Sequence, residues 1–212
     1  MNLSGVCIAL AVISAGACAT AGADGSGAGA ANDPAATPEA TITTADTLLP
    51  AGFGTLRQDE ITVSIRSGAL LVKVTPLDEA LIRLLAPDTY DRLSSLRRSR
   101  SEEASRTMMR EPELFLVSFF SYQPDTSFQP EDLQIVYQSR LLRPSTIVAL
   151  TTNWGRQRLD QQETQAAIYA FDAEIDFAQV LTVRYGTEQS EEWRQILTRL
   201  ENERGQIRSR IR

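Results

Sequence analysis

The chain of 212 residues contains no histidine, two cysteines and a single lysine, Lys73. Without histidine there is no imidazole base, no Ser-His or Cys-His arrangement, and none of the commonest zinc ligand. Both cysteines, Cys7 and Cys18, fall within the first 18 residues. The rest of the chain therefore has no disulfide, thiolate metal site or cysteine nucleophile. Lys73 has Leu70 three positions before it, so there is no S-x-x-K motif, and Lys73 lies in a strand-like pattern. No Gly-rich phosphate loop follows a strand-like run, and no cofactor is implied. A pair of Asp or Glu residues acting as acid and base would leave no such trace in the sequence.

An excess of positive charge is also missing. Net charge is −6, and the first 53 residues carry Asp24, Asp33, Glu39 and Asp46 but no base. The 27 acidic residues less those four leave 23 against all 21 basic ones, a balance of −2. No basic domain is present, so a nucleic-acid partner is not expected. Apolar residues make up 42%, enough for one folded domain with appendages.

What the chain does have begins with an apolar leader. Residues 3–17 read LSGVCIALAVISAGA. That is short of the roughly 20 apolar residues that span a bilayer but fits the apolar core of an export signal. The following Ala15-Gly16-Ala17-Cys18 resembles the lipobox of bacterial lipoproteins, with Ala15 where that family commonly has Leu. The resemblance covers only the leader. It implies acylation of Cys18 and attachment to a membrane. Cleavage after Ala17-Cys18-Ala19 or Ala21-Gly22-Ala23 would instead release a secreted protein, and a buried apolar helix in a cytosolic protein is the third reading. Residues 19–53, dominated by Ala, Gly, Thr, Ser, Pro and Asp, are too poor in large apolar groups to offset the entropy of ordering. They read as a disordered tether, leaving 54–212 as one domain.

That domain is organised around residues 114–122 (LFLVSFFSY), which hold three of the seven Phe and no charge. A run of this length reads as a central strand covered on both faces. Residues 60–66 and 69–75 around Gly68 read as a hairpin. Thr75 and Pro76 mark a helix start, giving two short helices up to about residue 98 and then a solvated or frayed segment. Further strands are expected over 133–138, 141–142, 146–151, 164–171 and 180–185. A final helix is expected over 190–210, with Trp193, Ile196, Leu197 and Leu200 on one face. The spacing predicts an α+β, mainly β fold: an immunoglobulin-like antiparallel β-sandwich with an inserted helical segment and a C-terminal helix. The immunoglobulin likeness is architectural only, because the Cys-Trp-Cys signature is absent.

Three groups of residues are candidates for function. Asp172, Glu174 and Asp176 alternate, which in extended chain puts three carboxylates on one side, a loose site for a hard cation such as Ca²⁺. The alternative is a solvated turn that buries Phe171, Ile175 and Phe177. Arg97, Arg98 and Arg100 form a basic cluster suited to anionic headgroups or a phosphorylated polymer, with Glu102 and Glu103 opposing it. Trp154, in a predicted loop, would be a partner contact if displayed and packing if folded back. The combined expectation is a non-enzymatic binding or structural module of a bacterial envelope, tethered through Cys18, with an envelope protein or cell-surface polymer as partner. A secreted carboxylate-dependent hydrolase and an envelope-complex assembly factor, docking through 97–110 or the C-terminal helix, are the other readings. Two converging carboxylates in a pocket favour the hydrolase; a flat surface with an exposed aromatic favours the binding module.

Overall fold

The computed structural model describes residues 49–211, apart from positions 107 and 109. Cys18, the leader and the tether up to residue 48 lie outside the described residues. The described residues form eleven strands and three α-helices in the order β1 (Val63–Ser67), β2 (Leu70–Pro76), α1 (Glu79–Ile82), α2 (Pro87–Ser105), β3 (Glu113–Ser121), β4 (Thr126–Ser127), β5 (Leu133–Tyr137), β6 (Arg140–Leu142), β7 (Thr146–Ala149), β8 (Arg158–Leu159), β9 (Thr164–Phe171), β10 (Leu181–Tyr185), β11 (Glu188–Ser190) and α3 (Trp193–Ile211). One antiparallel sheet runs β1-β2-β3-β9-β7, a second runs β11-β10-β5-β6, and β4 pairs with β8. The fold is the expected α+β, mainly β one, two antiparallel layers with a helical insertion and a C-terminal helix. The strand order, with β1, β2 and β3 as one meander, is its own.

The apolar run of β3 occupies the middle of the five-stranded sheet, as its sequence predicts. Register puts Phe115 beside Tyr169, Val117 between Val74 and Ala167, and Phe119 between Val72 and Gln165. These side chains, with Val63 and Ile65 of β1, face the second sheet's buried Leu133, Ile135, Leu181 and Val183. Phe119 stacks on Phe128 at 4.5 Å and meets Tyr185 at 5.6 Å; the Tyr169 hydroxyl donates to the Pro130 carbonyl at 3.0 Å. Each such buried side chain stabilises the fold by about 1.5–3 kcal/mol before entropy is counted. At the other end Phe115 touches Phe177, and Phe177 touches Trp193, so α3 joins the same core.

Turns follow residue chemistry. Gly68, at φ +58°, begins the β1–β2 turn, and Gln138 and Ser139, both at positive φ, make the tight β5–β6 turn. The exposed edge of β1 is blunted where the chain leads into α3: the Ser64 N–H donates to Glu192 Oε2 at 2.8 Å.

Several boundaries differ from the sequence reading. The helix cap is Asp78, whose side chain accepts from the Leu81 N–H, because Pro76 still belongs to β2 and the Leu77 N–H is bound by the Leu114 carbonyl. Helix α2 runs on to Ser105, through the segment read as a solvated loop or frayed helix. Its Arg, Ser and Glu residues are adequate helix formers, and only Leu93, Ser94 and Ala104 need burial. Strands β4, β8 and β11 carry no apolar alternation and were not foreseen.

The tether reading also extends too far. Leu49 packs against the core and its carbonyl accepts from Arg83. Gly54 lies so close to the backbone of Leu84 and Leu85 that a Cβ there would be 2.2 Å from the Leu84 carbonyl. Residues 49–53 are therefore part of the body.

Candidate functional site

Because side chains alternate along a strand, the five-stranded sheet has a second, outer face. At one end of that face α2 packs on β7 and β9 and buries Val148, Ile168 and Ala170. Leu114 is buried there too. At the other end nothing lies over the sheet among the described residues. Ser64, Lys73 and Ser118 stand in one cross-strand row, and Arg66, Leu71 and Phe120 in the next. The expectation that β3 is covered on both sides is thus right for its first half and wrong for its second. Helix α2 is too short and too far along the sheet to reach Phe120, which remains half-exposed.

This open half-face has a defined relief. A shallow groove of about 410 Å³ is lined by Gln58, Asp59, Thr62, Ser64, Lys73 and Ser118. A second hollow of about 240 Å³ lies over Leu71, Lys73, Ser118, Phe120 and Thr164. Lys73 and Ser118 line both. Beyond Phe120, Tyr122 is 41% exposed. Its ring meets Phe120 edge-on at 4.9 Å, and the Arg66 guanidinium lies 5.0 Å above it and donates to its hydroxyl at 3.2 Å. Asp59 is paired with Arg57. None of the ion pairs among the described residues includes Lys73. The face combines hydroxyls, half-buried apolar rings and one amine without a carboxylate partner. It suits a ligand with an acidic group and an apolar or ring surface. It offers no imidazole and no thiolate.

The residues singled out in the sequence lie elsewhere. Asp172, Glu174 and Asp176 line a polar cleft of about 470 Å³ with Arg110, Tyr137, Gln138, Arg140 and Gln179. They do not converge: among the described residues, no group of three or more carboxylate, histidine or cysteine side chains is placed to hold a metal ion. Asp172 accepts from Arg110 at 2.8 Å, and Asp176 accepts from the Ala178 N–H and the Gln179 amide, each at 2.9 Å. In place of a cation site the segment is a turn in which Asp172 and Asp176 bond within the chain, with Phe171, Ile175 and Phe177 buried.

Trp154 folds back over the sandwich, 5.3 Å from Phe128 and 5.8 Å from Phe119, and is packing rather than a displayed contact. Arg97 is paired with Glu79 and Glu111, Arg100 with Glu103, and Arg98 donates to Ser95. The basic cluster is a set of local clips along α2 rather than a free patch.

One carboxyl stands apart electrostatically. Glu113, half-buried at the start of β3, is pushed up to about 7, first by burial and then by the Asp78 carboxylate, with Arg97 opposing. Asp78 is itself raised, chiefly by burial. Neither residue is among those lining the cleft or the two hollows on the sheet.

The open half-face was missed because sequence shows alternation but not which end of a sheet a helix covers. Its one signal was Ser118, the polar residue among the outward positions of an otherwise apolar strand. The chain matches no family model, no curated protein and no solved structure.

Proposed function

We propose that this protein is a non-enzymatic binding module of a bacterial cell envelope, held at a membrane through an acylated Cys18. The open half of the outer sheet face is its binding surface. The observation that carries the reading is Lys73, a cation with no ion-pair partner among the described residues, set between Ser64 and Ser118 beside half-exposed Phe120 and Leu71. A shallow face of this kind grips an extended partner by ring contact and one charge pair, and an exposed cation is desolvated at little cost. The partner class is an acidic envelope polymer or an envelope protein presenting a carboxylate or phosphate. The lipobox-like Ala15-Gly16-Ala17-Cys18 supports export and anchoring.

The test is capture from envelope extracts with the full chain as bait, beside Phe120→Ser and Lys73→Glu variants. Material retained by the parent chain and lost from both variants supports the reading. Retention unchanged in both variants places the binding surface elsewhere.

A further inference from the structure

We infer that the end of the body where the chain enters, formed by Phe53 and the last turns of α3, is a membrane-docking face for anionic lipid headgroups. The inference rests on the tethered reading above but uses different residues.

The first observation is an exposed aromatic on a fixed backbone. Phe53 is 44% exposed. Its carbonyl accepts from Arg210 at 3.1 Å. The next residue, Gly54, sits against the Leu84 and Leu85 backbone. Thr55 then gives both its N–H and its hydroxyl to buried Glu203 of α3, at 2.9 and 3.0 Å. An aromatic that the fold holds so firmly yet leaves in solvent has lost its chain entropy without burying its ring, so a docked surface gains the ring contact at little further cost.

The second observation is charge. From residue 204 to the C-terminus the sequence is RGQIRSRIR, four arginines and no acid, and residues 47–56 (TLLPAGFGTL) carry no charge. Arg204 is paired with Glu201 and Arg210 with Glu203 at 3.9 Å, while Arg208 is exposed in the last turn. Ile211, 45% exposed, adds a second apolar group at this end.

The third observation is position. Any tether from Cys18 enters the body at Leu49, four residues before Phe53. An anchored chain is therefore attached to the bilayer from this end. Arginines near an anionic surface with a ring beside them match an interfacial contact, the arginines pairing with headgroups and Phe53 entering the acyl boundary.

The test is bromolipid quenching of a Phe53→Trp fluorophore in the full chain, on vesicles of phosphatidylcholine alone and with phosphatidylglycerol added. Quenching is expected on the mixed vesicles. The docked-to-undocked ratio should then fall about fivefold for Arg208→Gln, since each arginine near such a surface is worth about fivefold. An Arg140→Gln control should change nothing. A fluorophore that is unquenched, quenched equally without phosphatidylglycerol, or indifferent to Arg208→Gln overturns the inference. Retention on phosphatidylcholine alone reads the anchor separately. A chain not retained there, yet quenched on mixed vesicles, refutes the anchor and keeps the face.

Discussion

Glu113 ties the pH dependence of stability to one carboxyl. Its pKa rises from 4.5 to about 7 in the folded chain, because burial strips water from the ionised form and Asp78 adds like charge. Between about pH 4.5 and 7 the folded state therefore holds a proton that the unfolded chain has released. The free energy of unfolding must fall as pH rises through that window. Below it both states are protonated and the penalty is absent; above it the penalty is full. The gap between 4.5 and about 7, at about 1.4 kcal/mol per pH unit, sets a ceiling of about 3 kcal/mol. Residual water access to a half-buried carboxyl lowers the expectation to about 2 kcal/mol. Glu113→Gln keeps the shape and removes the charge. The variant should match the parent near pH 4.5 and exceed it by about 2 kcal/mol at pH 8, or about 4–8 °C in melting temperature. Urea melts at half-unit steps from pH 4.5 to 8.5 measure the difference directly, and Asp78 cancels between the two proteins to first order. A variant whose stability runs parallel to the parent across the whole range would refute the burial argument. So would one that is less stable at pH 8.

Three further outcomes are expected. Phe115→Ala should cost about 3–5 kcal/mol by denaturant melt, since the ring is 1% exposed, whereas half-exposed Phe120 should cost only about 1–2. Equal costs would mean that the outer face is closed. Gly54→Ala should destabilise by more than about 3 kcal/mol, because the new methyl meets backbone carbonyl atoms that have no rotamer to yield; a thermal shift near zero contradicts the close approach. Cys18→Ser should abolish incorporation of labelled fatty acid and release the protein from membranes on fractionation, and undiminished membrane association rules out the acyl anchor.

Much of the body was legible because its strands obey simple alternation. Strand β9 begins and ends where TQAAIYAF does, and β3 sits at the sheet centre because nothing polar interrupts it before Ser118. Legibility failed where burial is one-sided or local. Helix α2 continues through residues 97–105 with almost no apolar stripe, because it touches the sheet with few side chains. Strands β4 and β8 are two residues each and exist only because a loop folds back beneath Trp154. The conspicuous residues misled for one physical reason: Asp172, Arg97 and Trp154 all find partners within the chain. Lys73, which has no ion-pair partner among the described residues, looked ordinary in a strand. Its importance arises from where α2 stops, which is a tertiary fact.

The single lysine makes the central claim directly measurable. An imidoester photo-crosslinker, which turns the amine into a still-cationic amidine, has one side-chain target on the intact chain, Lys73, in the middle of the open half-face. Illumination in envelope extracts should join it to a discrete partner. Lys73→Arg should remove the label, and Phe120→Ser should keep the label but lose the adduct. A labelled parent chain that forms no adduct, or an adduct that survives Phe120→Ser unchanged, would contradict the assignment of this face as the binding surface.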